Sequence, residues 1–136
     1  MIHLHRHFGR HAISQLRRMA NNGTLKLPEG VIREILRGTD RLALFVKKYR
    51  ADVEVAIKAD PRLQHALSEL EGKYGDRIRM GPNEYPGFWH SRAGRKSVDA
   101  QVVAVAKVNG WTVVSDDRAV RLACLQENVP CIGWTE

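Results

Sequence analysis

No aspartate or glutamate stands before Glu29, so any chemistry that needs a carboxylate has to be assembled from the later chain. No run approaches the roughly 20 apolar residues of a membrane-spanning helix, and no membrane partner is expected. The basic N-terminus carries no apolar stretch of the kind a secretory signal needs. Cysteine is scarce: Cys124 and Cys131 have neither the number nor the spacing of a zinc site or a disulfide framework. Cys124 falls in an apolar helical pattern, so a buried, reduced thiol and a cytoplasmic home are the expectation. No glycine-rich loop follows a strand, which ranks a small-molecule α/β enzyme low. No repeat, low-complexity tract or linker divides the chain, and residues 1–136 are expected to form a single domain long enough to bury a core.

Positive charge is what the sequence has in excess, with 22 Lys plus Arg against 15 Asp plus Glu and a formal net charge of +7. That balance favours a polyanionic partner, nucleic acid first. The opening residues hold His3, His5, His7 and His11. Histidines four apart on a helix can share a metal ion, but no nearby acid or cysteine completes a set, and a solvated basic terminus is the simpler reading.

Along the chain, Ile13, Leu16, Met19 and Ala20 repeat at helical spacing from about Arg10 to Asn22, with Gly23 as C-cap. Thr24 to Leu27 is a strand candidate. Pro28 suits the first position of a second helix, which carries Val31, Ile32, Ile35 and Leu36. Glu34 sits at the margin of that apolar face, where pairing with Arg33 or Arg37 would account for it. Leu42 to Tyr49 reads as a helix, and Asp60-Pro61 starts another with Leu63, Ala66, Leu67, Leu70 and Tyr74 on one stripe. Gly75 to Lys96 is punctuated by Gly81, Pro82, Pro86, Gly87 and Gly94 and is expected to be loop. It holds Tyr85, Phe88, Trp89 and His90, then Arg92, Arg95 and Lys96. Aromatics beside cations suit stacking on exposed bases with phosphate neutralisation, which makes Trp89, Arg92, Arg95 and Lys96 candidate RNA contacts. The alternative is that the aromatics tuck into the core while the charges stay solvated.

The last third alternates helix, strand, helix and strand, the signature of a parallel α/β sheet. Ser97 is a good N-cap and places Asp99 in the first turn of a helix that is apolar on nearly every side from Val102 to Ala106. Asn109-Gly110 ends that helix, Trp111 to Ser115 is a short strand, and Asp116-Asp117 leads into the helix of Ala119, Val120, Leu122 and Ala123. Helix capping would explain either Asp99 or Asp117 alone. Together they lie where the carboxyl ends of parallel strands gather sites. Carboxylates that converge there call for a cation, and Mg2+ or Mn2+ held by a few acids and waters is the usual answer.

The segments S-V-D-A-Q-V-V-A-V-A, V-V-S-D-D-R and N-V-P-C-I, with L-P-E-G-V-I-R-E-I-L-R-G upstream, resemble the PIN-domain nucleases. The resemblance covers the chain from about residue 10 to its end. It implies a three-layer α/β/α fold around a central, mainly parallel sheet. It also implies a Mg2+- or Mn2+-dependent endoribonuclease acting on RNA, of the VapC-like kind that serves as the toxin of a toxin–antitoxin pair. A small antitoxin protein would block the site, and a homodimer is a further implied partner. On that pattern Glu34, Asp99 and Asp117 would hold the metal, with Asp116 as a nearby catalytic helper and Ser115 as an accessory group. One departure stands out: the family's first strand and the acid that ends it have no counterpart. A start codon set too late, degeneration, or a substitute strand from Ile2 to Phe8 would each account for it. The first is favoured, because the remaining acids sit where an active protein needs them. Shortening at the C-terminus is also open. The chain as written is expected to cut poorly, and a non-catalytic PIN-like protein that binds RNA or a partner is the competing reading.

Overall fold

In the computed structural model the described residues are 10–91 and 93–133. Helix α1 (Arg10–Asn21) buries Leu16 and Ala20 and stops where Gly23 takes a positive φ of 72°. The chain then enters β1 (Leu27–Pro28) and helix α2 (Glu29–Leu36), with Pro28 standing just outside the helix rather than inside it. The strand therefore begins where the candidate from Thr24 to Leu27 was expected to end. Thr24 and Leu25 spend their N–H groups on the Met19 carbonyl at the end of α1, so they cannot pair sideways in a ladder. Helix α3 (Arg41–Val53) is capped by Asp40, whose carboxylate accepts from the Ala43 N–H at 3.0 Å. It runs straight into β2 (Glu54–Val55), which pairs in parallel with β1. Asp60 caps α4 (Pro61–Tyr74), with Pro61 in the first turn.

Between residues 75 and 96 the expected loop is largely an antiparallel hairpin, β3 (Arg77–Met80) with β4 (Asn83–Pro86). Gly81, at φ 60°, and Pro82 make the turn. Two short 3-10 turns follow, Phe88–His90 and Gly94–Lys96. Helix α5 (Asp99–Asn109) comes next and ends on Gly110, whose φ of 69° is the left-handed conformation that glycine adopts without strain. Strand β5 (Val113–Val114), helix α6 (Arg118–Gln126) and strand β6 (Cys131–Ile132) complete the order, β6 pairing in parallel with β5.

The fold is α/β, and its described strands form three separate two-stranded pieces. Helix α5 lies at the centre. All five residues from Val102 to Ala106 are buried, and the helix packs on α4, α6, β1 and β5. No helix among the described residues is long and apolar enough to cross a membrane. Cys124 is fully buried, and burial, followed by the neighbouring Cys131 thiol, pushes its own thiol well up, so it stays neutral.

One buried carboxylate ties three helices together. Glu127, only 6% exposed at its side chain, accepts hydrogen bonds from Lys107 at 2.5 Å, Lys73 at 3.4 Å and the Tyr74 hydroxyl. Burial alone would raise this carboxyl, but the Lys107 and Tyr74 hydrogen bonds outweigh it and hold it below its ordinary value. A carboxyl depressed in the folded state contributes stability above its unfolded pKa, and that stability is lost as pH falls through the folded value. Glu127→Gln is therefore expected to cost about 2 kcal/mol at neutral pH, roughly 8 °C in melting temperature. The difference from the parent should vanish in acid. Melting curves against pH check this, and a constant offset down to low pH would rule it out.

Candidate functional site

The two acids singled out in the sequence are set by the same local device. The Ser97 hydroxyl accepts the Asp99 N–H at 3.3 Å, and the Ser115 hydroxyl accepts the Asp117 N–H at 3.1 Å. A serine two residues ahead thus pins each aspartate's backbone as its helix begins. Ser97 does this from one position further out than expected, since Val98 occupies the N-cap of α5. Asp117 is the N-cap of α6, its carboxylate accepting from the Val120 N–H at 3.0 Å. Ser115 is fully buried; its own N–H reaches the Ile132 carbonyl at 2.9 Å and its carbonyl accepts from Arg121 at 3.0 Å. Ser115 therefore shapes the switch from β5 to α6.

Asp99 and Asp117 line one cavity of about 300 Å³. Asp99 is buried at 8% exposure, and Asp117 is half-buried. A further wall comes from the end of β4 and the turn after it, including Gly87, Phe88 and His90, while Arg118 and Ala119 open α6 next to Asp117. This wall is stitched down by backbone: the Gly87 N–H donates to the Asp76 carbonyl at 3.1 Å and the Trp89 N–H to the Gly75 carbonyl at 2.8 Å. His90 lies 3.4 Å from an Asp76 carboxylate oxygen on the exposed rim.

The other sequence candidates fall elsewhere. Glu34 is exposed on α2 and Asp116 is exposed at the switch; neither lines the cavity. Helix α2 is joined to α5 through the Gly30 N–H, which donates to the Gln101 side-chain oxygen at 3.0 Å, a turn before Glu34. Among the described residues, no group of three or more His, Cys, Asp or Glu is placed to hold a metal ion. The set Glu34, Asp99 and Asp117 is thus not assembled, and what remains is the Asp99–Asp117 pair. Of the expected RNA contacts, Arg95 is exposed and stacks its guanidinium 4.5 Å from the Trp89 ring centroid. Trp89 is half-buried against the core and Phe88 is fully within it, so both aromatics pack toward the core while Arg95 stays exposed. Arg92 lies outside the described residues, as do His3, His5, His7 and the segment from Ile2 to Phe8.

Sequence reasoning did not pick out Arg118, nor assign His90 to the acids. Arg118 follows directly on Asp117, so the residue after the acidic switch was a usable signal. His90 reaches the cavity only through the hairpin, which the sequence did not disclose.

Structurally, then, this is an α/β protein with two serine-pinned aspartates facing one cavity at the start of two helices. The chain belongs to the family described as a domain of unknown function, DUF4411, whose family model matches residues 8–134. No curated protein and no solved structure matches it.

Proposed function

We propose that the chain is a PIN-type, divalent-metal-dependent endoribonuclease built on Asp99 and Asp117. The observation that carries this reading is their convergence on one cavity from the starts of α5 and α6. Mg2+ keeps several waters and takes one or two carboxylates plus substrate phosphate oxygens, so a pair of aspartates fits that donor set. A divalent ion bound there would supply an activated water and offset the charge developing on a phosphodiester. Asp99 and Asp117 would hold the ion, the two serines would keep both carboxylates in register, and the Gly87–His90 wall would limit the entry of bulk water. The net charge of +7 supports RNA as the substrate class. The PIN-like three-layer arrangement belongs to the same reading. It draws support from the two parallel strand pairs and from α5 packed on β1 and β5. The roles of toxin, antitoxin target and homodimer rest on the resemblance alone.

A non-catalytic PIN-like RNA- or partner-binding protein is the second reading. It is favoured by the lack of a three-acid group among the described residues. Thermal melting with added Mn2+ separates the two. A specific site raises the melting temperature by mass action, by roughly 10 °C at about a hundredfold excess over Kd. Asp99→Asn should remove that rise. A flat response in the parent chain would favour the non-catalytic reading.

A further inference from the structure

We propose that Arg118 grips the substrate phosphate in the Asp99–Asp117 cavity and is held ready at its mouth by the ring of Tyr85. This rests on the nuclease reading above and names the side chain that meets the phosphate beside the two acids. A divalent ion would cancel the charge of the two carboxylates, and the phosphodiester's own negative charge then calls for a further cation at the site. Among the described residues lining the cavity, Arg118 is the one permanent cation, and His90, when charged, is already beside Asp76.

Arg118 is exposed and its guanidinium stands 5.7 Å from the centroid of the Tyr85 ring on β4. It makes no ion pair among the described residues. The neighbouring Asp117 carboxylate is committed to the Val120 N–H of its own helix. The nearby basic groups are differently employed. Arg121, one turn on, donates to the Ser115 carbonyl and braces the switch, while Arg95 lies on Trp89, which does not line the cavity. A guanidinium resting on a partly exposed ring at this distance gives up about 0.5–1 kcal/mol on leaving it, so Arg118 can turn to a phosphate at little cost. Its planar fork then meets two phosphate oxygens at once, which a lysine ammonium cannot do. The hairpin acquires a role in the same step: β3 and β4 bring Tyr85 to the place where it keeps the cation facing the cavity.

The test uses the full chain in EDTA, where no cleavage competes and the carboxylates' repulsion is unscreened by metal. Binding of a labelled single-stranded RNA is followed by fluorescence anisotropy over a range of salt. Each phosphate neutralised on a single strand contributes about 0.7 to the slope of log K against log salt. Arg118→Gln should lower that slope by about 0.7 and weaken binding about ten-fold at low salt. Arg118→Lys should recover the slope but not the full affinity, and Tyr85→Leu should weaken binding with the slope unchanged. Arg118 is exposed, so the melting temperatures should match the parent; if Arg118→Gln fails to fold, Arg118→Lys and Tyr85→Leu decide. Unaltered slope and affinity in Arg118→Gln, with Mn2+ still raising the parent's melting temperature, would overturn the proposal alone. An Arg118-dependent slope in a parent whose melting temperature does not respond to Mn2+ would uphold the grip and overturn the nuclease reading. Undetectable binding by the parent at the lowest salt would overturn the grip.

Discussion

Asp99→Asn is expected to cut Mg2+- or Mn2+-dependent cleavage of single-stranded RNA by more than about a hundred-fold, since altering even groups behind the metal ligands costs 10- to 100-fold. The substitution is isosteric, and the backbone N–H at 99 keeps its bond to the Ser97 hydroxyl. Removing one negative charge from the first turn of α5 costs about 0.3–1 kcal/mol, a few degrees of melting temperature at most. Loss of cleavage with the fold retained is therefore the signature sought. Cleavage by the mutant at the parent's rate would take Asp99 out of the chemistry and leave it as an ordinary helix-start acid.

The largest effect on stability is expected at Gly87. A Cβ at that position would stand 2.0 Å from the Tyr74 carbonyl oxygen, 2.6 Å from the Gly75 carbonyl oxygen and 2.8 Å from the Gly75 carbonyl carbon. All three are backbone atoms, so no flexible side chain can move aside. The neighbours are fixed as well, with the Gly87 N–H on Asp76 and Phe88 in the core. Gly87→Ala should cost at least about 3 kcal/mol, roughly 10 °C or more in melting temperature, and should displace the wall that carries His90. Gly72→Ala is the control: it lies in α4 with nothing within 4 Å of the added carbon and should hold or gain stability. A melting temperature for Gly87→Ala within about 2 °C of the parent would refute the expectation.

Sequence patterns disclosed what local chemistry dictates. The stripe on α1, the Asp60-Pro61 start of α4, the Gly110 stop of α5 and the Asp117 cap of α6 were all readable, because each is decided within one or two turns of chain. The hairpin was not. Arg77-Ile78-Arg79-Met80 does alternate, but its turn is Gly81-Pro82 and its second strand, Asn83–Pro86, offers one aromatic and ends in proline. Its pairing is held from outside, by the Gln126 side chain on the Arg79 carbonyl and by Gly87 on Asp76. β2 escaped for a related reason, being two residues fixed by pairing with β1. The same limit governs the site. That Asp99 and Asp117 form a pair could be read from helix–strand order, whereas the part of His90 in their cavity depends on a hairpin folding back over α6.

The Glu127 carboxylate has a consequence for how the molecule opens. Its donors come from the end of α4 and the last turn of α5, and Glu127 itself closes α6. Helix ends ordinarily fray one at a time, and their amides exchange hydrogen independently. Here no one of these three ends can unwind without stranding partners on the others. Their amides should exchange as one group, sharing a single opening free energy, and should slow together as pH rises above the Glu127 titration once the intrinsic exchange rate is divided out.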